Sequence, residues 1–286
     1  MLTESPFDDL LSLIAQLPLQ DEQSVAVLSE SLQNRHKLPT DMADGVLSWL
    51  VWLAGWQGKP KPSLAESHIC LFTSSYTGSD EVQNVVDFAD KAGKGQTAVN
   101  QLCKDRGLGL RVLELAPSLP HDVEAGWTER ECMAACAFGM EATAAGGDLL
   151  GLSALSAGAE GVAENLIRVL SEMDLQKVEK KTVLKCMQQN AGREIAALVG
   201  GMLAARSRRL PVLAEGWTAI AAMKVLHCVR PDAVDHVRVV TVTSSSQMAA
   251  LTEMKQQPLL APVNDLPAGC GLAVSVSSLL PLLNLA

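Results

Sequence analysis

The chain has 286 residues, of which 48% are hydrophobic and 19% are charged. This composition is typical of a folded protein with one or two domains and excludes a disordered chain. The formal net charge of −9 argues against a nucleic-acid partner, because such partners usually meet a basic surface. The short basic cluster of Arg206, Arg208 and Arg209 is predicted to be the solvated end of a helix.

The seven cysteines are scattered along the chain and odd in number, which predicts reduced thiols rather than a disulfide framework. We interpret Cys132 and Cys136, four residues apart, as small core residues, and we expect neither a metal nor a cofactor. The acidic N-terminus is unlike a secretory signal, and the apolar stretch at 48–56 is too short to span a bilayer. We therefore expect a cytoplasmic protein without a membrane partner.

Residues 1–57 carry apolar residues at the spacing of three helices. The third, over residues 42–56, is so apolar that it must be buried in the protein or against a partner, and this favours a homodimer. The segment GKPKP at 58–62 is predicted to be a linker.

Beyond the linker, short apolar runs alternate with helical patterns, which predicts an α/β fold: a three-layer, Rossmann-like, mostly parallel sheet of about six strands flanked by helices. The strands are predicted at 68–74, 110–116, 148–154, 210–216, 237–243 and 258–262. The helices are predicted at 80–90, 97–106, 128–144, 161–173, 181–205, 217–228 and 271–283.

The loops that follow the predicted strands are rich in glycine and serine. In parallel sheets ligands bind beyond the carboxyl ends of the strands, where such residues let the backbone approach a ligand. Turns between strands and helices use the same residues for conformational reasons alone, so both interpretations stay open. Together the loops favour a phosphate-bearing or heterocyclic ligand.

Several phrases of the chain resemble the nicotinate-nucleotide:dimethylbenzimidazole phosphoribosyltransferases, over roughly residues 60–284. They are GGDLL at 146–150, AGREIA at 191–196 and PVLAEGW at 211–217, followed by PLL at 258–260 and a closing Gly-x-Gly helix. The segment at 87–107, with a glycine-rich kink before an Ala-Asn helix, is similar too.

The resemblance implies transfer of the phosphoribosyl group of nicotinate mononucleotide to dimethylbenzimidazole, without a metal. In the family a glutamate near the C-terminus takes the proton from the incoming imidazole nitrogen, as a general base. The resemblance also implies a homodimer and two domains. These are a small helical domain of residues 1–57 plus 271–286 and a phosphoribosyltransferase-like α/β domain of residues 63–270.

The residues expected to carry the chemistry are replaced in this chain. The family's general base falls on Ala268, and the glutamate of its central phrase falls on Ala154, in SALSAGAEG at 153–161. The phrases after the first and fifth strands are replaced by SSYTG at 74–78 and TSSSQM at 243–248. Glu215, Asp265 and Glu160 are candidate substitutes for the base. The candidate ligand- or phosphate-binding residues are Ser74, Ser75, Gly158, Gly192, Glu194, Gly216, Ser244, Gly269 and Gly271.

Three hypotheses follow for a protein that would bind a nucleotide or an aromatic base. The first is a catalytically degenerate homologue with a binding or regulatory role. The second is an active phosphoribosyltransferase on a related base or nucleotide that uses Glu215, Asp265 or Glu160. The third is the ordinary transferase, but no glutamate follows Glu253, so a local shift of the alignment cannot recover the base. A cavity that is lined by an acidic group of raised pKa favours an enzyme, and one that is filled by Tyr76, Leu155 or Met248 favours the degenerate homologue.

Overall fold

The computed structural model describes residues 5–36, 47–260 and 266–286 of the chain. Its centre is a five-stranded sheet with the strand order β2-β1-β3-β4-β5, in which all neighbouring strands are parallel. The strands are β1 Ser67–Ser75, β2 Gly109–Glu114, β3 Leu149–Ala157, β4 Val212–Glu215 and β5 Val237–Val239. The predicted α/β class is confirmed.

Helices precede, connect and follow these strands. Those before β1 are α1 Pro6–Ala15, α2 Glu22–His36 and α3 Ser48–Gln57. The later ones are α4 Val82–Gly93, α5 Ala98–Arg106, α6 Glu129–Met140, α7 Ala159–Ser171, α8 Lys180–Asn190, α9 Arg193–Ser207, α10 Trp217–Val229, α11 Ser245–Glu253 and α12 Cys270–Leu279. A 3-10 helix, Leu280–Leu285, follows α12.

Both faces of the sheet are buried, because successive residues of a strand point to opposite sides. On β1, Phe72 belongs to one apolar cluster and Ile69 to the other; on β3, Leu152 and Leu149 divide in the same way. The first cluster includes α1 and the helices from α6 to α11, and the second includes α3, α5 and α12. This double burial explains why the strands are short continuous apolar runs in the sequence.

The predicted sixth strand, over residues 258–262, is wrong for the residues that the structure describes. The amide groups of Leu259 and Leu260 donate to the carbonyls of Val239 and Val240 at 2.9 and 2.8 Å. The segment therefore lies beside β5 without forming a strand. The last two residues of the predicted strand lie outside the described residues.

Two helix predictions are also wrong. The single helix predicted over 181–205 is divided into α8 and α9, because Ala191 and Gly192 have extended backbones. Helix α11 was missed in the polar segment after the fifth strand. At its start the side chain of Ser244 accepts a hydrogen bond from the amide of Gln247. This N-terminal cap stabilises the helix although its sequence lacks an apolar stripe.

Helix α3 is buried within the chain. Trp52 and Trp56 are 6% and 1% exposed, and α3 packs against α2 and the C-terminal 3-10 helix. Its apolar character therefore needs no partner subunit, and the homodimer and the two-domain division stay predictions. Residues 42–46 of the predicted helix lie outside the described residues. In the ranges that are described, no helix is both long and apolar enough to span a bilayer.

The prediction of a solvated basic cluster is wrong for Arg206, whose side chain is fully buried. Its guanidinium carbon lies 4.1 Å from the ring centre of Trp56, and its Nε donates to the carbonyl of Pro18 at 2.7 Å. A planar guanidinium can stack on an indole while donating in its own plane, so burial is compatible with its charge.

Candidate functional site

A cavity of about 240 Å³ lies at the carboxyl ends of β3 and β4. It is the kind of position that the parallel topology predicts for a ligand. Glu215 is the last residue of β4, and the next residue, Gly216, turns the chain into α10 with a φ of +91°. The lining residues are Ser153, Ala154, Glu160, Glu215, Gly216, Trp217, Thr241, Thr243, Gln247, Leu266 and Ala268.

The carboxylate of Glu215 connects this cavity to α12. Its two oxygens accept from the amides of Gly271 and Leu272 at 3.2 and 3.4 Å. Burial raises the pKa of Glu215 to about 7, and these amide hydrogen bonds act in the opposite direction. A Cβ on Gly271 would lie 2.5 Å from a Glu215 oxygen, so this close approach requires a glycine. Glu215 can therefore hold or release a proton near neutral pH.

The lining of the strand-end cavity is acidic. Among the residues that the structure assigns to it, Glu160 and Glu215 are the ionisable ones, and Lys, Arg and His are absent. Ala154 and Ala268, the positions that the sequence resemblance predicts for two glutamates of the family, both line the cavity, and their side chains have no proton acceptor. The site therefore has carboxylates, hydroxyls and an amide, but no cation to hold a phosphate.

A second group of predicted residues surrounds Tyr76. Its hydroxyl donates to Glu194 Oε1 at 2.6 Å, both side chains are buried, and burial raises the pKa of Glu194. A Cβ on Gly192 would lie 2.5 Å from the Tyr76 hydroxyl oxygen, so the phenol occupies the space over the start of α9. Tyr76 therefore fills the predicted ligand position at Gly192, which favours the degenerate homologue. The strand-end cavity, in contrast, is open and is lined by Glu215 with its raised pKa, which favours an enzyme.

Among the other predicted residues of this group, Ser74 and Ser75 are buried and Gly158 is exposed. The hydroxyl of Ser75 donates to the carbonyl of Pro117 at 2.7 Å, and Ser74 is fully buried. Gly158 has a φ of +79° and precedes α7; a Cβ there would lie 3.4 Å from that of Tyr76. These residues therefore pack and form hydrogen bonds around Tyr76.

The structure therefore divides the predicted site residues between two places. Glu215, Gly216 and Glu160 line the strand-end cavity, and Gly271 borders it through its bond to Glu215. Gly269 precedes α12 with a φ of +80°, and Ser244 caps α11. Asp265 lies outside the described residues. The assignment of any of these residues to a ligand stays a prediction.

Sequence reasoning missed Trp217, Thr241 and Gln247 as lining residues. Trp217 directly follows Glu215 and Gly216, so the turn at the end of β4 was the signal that marked it. Gln247 is held by Thr243, whose amide donates to its Oε1 at 2.7 Å. Within the described ranges, no group of His, Cys, Asp and Glu side chains is arranged to hold a metal ion. All seven cysteines are buried and free, as the sequence predicted.

The parallel sheet with helices on both faces and a cavity at its carboxyl edge defines a Rossmann-like α/β protein. A sequence model of a family described as phosphoribosyltransferase matches residues 19–182 and 174–283. The nicotinate-nucleotide–dimethylbenzimidazole phosphoribosyltransferase of Allorhizobium ampelinum is 30% identical over 96% of this chain and 91% of its own length. The enzyme of that name from Rhizobium meliloti is 31% identical, over 94% and 90%. The chain belongs to the nicotinate-nucleotide–dimethylbenzimidazole phosphoribosyltransferase family.

The fold is also that of solved structures. The crystal structure of CobT from Thermus thermophilus superposes with a TM-score of 0.77 over 92% of this chain and 96% of that one, at 17% identity. A second structure from the same organism, of nicotinate-nucleotide-dimethylbenzimidazole phosphoribosyltransferase, gives the same TM-score at 18% identity. The resemblance predicted from the sequence is confirmed.

Proposed function

We propose that this chain keeps the fold and a small ligand pocket of its family but does not carry out the family's phosphoribosyl transfer, and that it acts as a binding or regulatory protein. One observation carries the proposal. The strand-end cavity is lined by Glu160 and Glu215 and by no cation among the described residues. Ala268 also lines it, and from the resemblance of the phrase at 265–271 we take this alanine to stand where the family has its base.

The charge of the lining opposes the substrate that the relatives are named for. A nicotinate nucleotide carries a phosphate, and two carboxylates without a cation repel it at close range. In addition, the loss of a general base at Ala268 lowers the rate of a proton-transfer step by roughly 10²–10⁴-fold. Tyr76 occupies the start of α9, where backbone amides would otherwise be open to an anion. These features act together against transfer from a nucleotide.

The size and polarity of the cavity favour a single heterocyclic base. Its volume of about 240 Å³ is below the roughly 300–1,000 Å³ of pockets for drug-sized ligands. With a pKa of about 7, Glu215 can present either a proton donor or an acceptor to a ring nitrogen. Dimethylbenzimidazole, the base for which the relatives are named, has this chemistry.

Calorimetric titration with 5,6-dimethylbenzimidazole tests the binding half of the proposal. Ala268→Phe fills the cavity, and we expect it to abolish base binding in a folded protein. Ala145→Phe is the matched control, because Ala145 is exposed in the turn before β3. This variant should bind the base as the wild type does. Equal binding by both variants, or none by the wild type, contradicts the proposed pocket.

A second candidate function is an active transferase with Glu215 as the base. The observation in its favour is that the pKa of Glu215, about 7, suits a general base at neutral pH. Glu215→Gln separates the candidates. Under the binding proposal this variant changes base affinity only, whereas under the transferase candidate it removes product formation that the wild type shows.

A further inference from the structure

A larger cavity, of about 650 Å³, lies beside β5 and shares no lining residue with the strand-end cavity. Helix α3 forms one wall, the segment 255–260 forms another, and α12 with the C-terminal 3-10 helix forms a third. Its volume falls within the roughly 300–1,000 Å³ typical of small-molecule sites. We refer to it as the β5 cavity.

Two indoles and two cations dominate the β5 cavity. Trp49 and Trp52 meet edge to face, with ring centres 5.6 Å apart and planes at 69°. The guanidinium carbon of Arg238 lies 5.4 Å from the ring centre of Trp52, and Lys255 adds an exposed ammonium. No Asp or Glu occurs among the lining residues that the structure describes, although the chain has a net charge of −9. The cavity therefore combines aromatic surface with local positive charge.

Arg238 retains donors for a ligand. Its Nη1 donates to the carbonyls of Asp235 and Val237 at 3.3 and 3.2 Å. A guanidinium has five N–H donors, and its planar fork suits a carboxylate. The long bonds to two carbonyls engage one nitrogen and fix the group beside Trp52.

From these features we infer that the β5 cavity binds an aromatic carboxylate. The ring packs against Trp49 and Trp52, and the carboxylate is held by Arg238 and Lys255. The two cavities share no lining residue, so this binding is independent of any binding at the strand-end cavity.

Calorimetric titration with three probes separates the elements of this recognition. Anthranilate has the aromatic ring and the carboxylate, and we expect it to bind. 2-Aminobenzamide keeps the ring without the charge, and cyclohexanecarboxylate keeps the charge without the aromatic ring or the amino group. Each should bind at least about tenfold more weakly.

Variants place the binding in the β5 cavity. Arg238→Met and Lys255→Met should each raise the dissociation constant for anthranilate about tenfold or more. Lys177→Met, which removes an exposed surface ammonium paired with Asp174, is the matched control and should leave it unchanged. Ala268→Phe should also leave it unchanged, because it alters the other cavity alone.

The inference is overturned by any of three results. These are no binding of anthranilate to the folded wild type, equal binding of anthranilate and 2-aminobenzamide, or unchanged affinity in Lys255→Met. The last variant keeps the test decisive if Arg238→Met fails to fold, because Lys255 is exposed and its replacement disturbs no buried contact.

Discussion

The strand-end cavity and the β5 cavity differ in size and have opposite charge. The strand-end cavity, about 240 Å³, is lined by two carboxylates, whereas the β5 cavity, about 650 Å³, is lined by two cations and two indoles. The strand-end cavity lies at the carboxyl ends of parallel strands, where proteins of this fold usually bind their ligands. It has, however, no cation among the described residues that would attract a phosphate. Cavities of one fold can therefore differ in charge, because a few lining residues set the charge of each.

The largest effect that we predict concerns Glu215, on the acidic side of this comparison. Its pKa in the folded state is raised from about 4.5 to about 7, so the folded chain binds the proton more tightly than the unfolded chain does. This contribution to stability is fully present below about pH 4.5 and is lost as the pH rises through 7. Between pH 4.5 and 7 the free energy of unfolding of the wild type should therefore fall by about 3 kcal/mol relative to that of Glu215→Gln.

Urea unfolding of both proteins from pH 4.5 to 8 measures this difference. Glu160→Gln is the matched control, because Glu160 lines the same cavity but is exposed, so its replacement removes no buried carboxyl group. A stability difference for Glu215→Gln that does not change with pH would contradict the burial of this carboxyl group.

The next effect concerns the contact between Glu215 and α12. In Gly271→Ala the new methyl group meets a carboxylate oxygen at 2.5 Å, and the crowding should lower the free energy of unfolding by about 1–3 kcal/mol. Gly161→Ala, in α7, is the control: nothing lies within 4 Å of its added Cβ, and helix propensity favours it. If both substitutions have the same effect on the urea midpoint, the close approach at Gly271 is not real.

A smaller effect is predicted for Tyr76→Phe. The change removes the donor to Glu194 and leaves a buried carboxyl group without it, which should lower the free energy of unfolding by about 1–2 kcal/mol. The ring still fills the space over Gly192, so no anion site opens, and inorganic phosphate should not stabilise the variant in thermal unfolding. Stabilisation by phosphate would show that the phenol ring does not close this position.

Much of the fold could be predicted because each strand is buried on both sides and therefore forms a continuous apolar run. Arg206 could not be placed, since its burial depends on Trp56, which is 150 positions earlier and brought close only by the fold. Helix α11 begins with a polar cap rather than an apolar stripe, so periodicity gave no signal for it. At the break between α8 and α9, a Cβ on Gly192 would meet the ring of Tyr76, another contact between distant parts of the chain.

The candidate site could be predicted only where it follows from the strand pattern and not from tertiary contacts. Parallel topology marks the strand ends, and Glu215 was found because it ends β4. Two further features are tertiary contacts that no local sequence pattern contains. Glu215 accepts from the amide of Gly271, and Tyr76 packs over the start of α9, where it donates to Glu194. The β5 cavity was not predicted, because its walls come from residues 48–52, 238, 255–260 and 278–282.

The most direct test of the central claim is a transferase assay on the wild type. The folded protein is incubated in excess over nicotinate mononucleotide with 5,6-dimethylbenzimidazole, and the riboside phosphate is measured by mass spectrometry. We predict no product above the protein-free background, because the cavity has no described cation for the nucleotide and Ala268 cannot accept a proton. Product that forms with the wild type and disappears in Glu215→Gln would contradict this account and identify an active transferase.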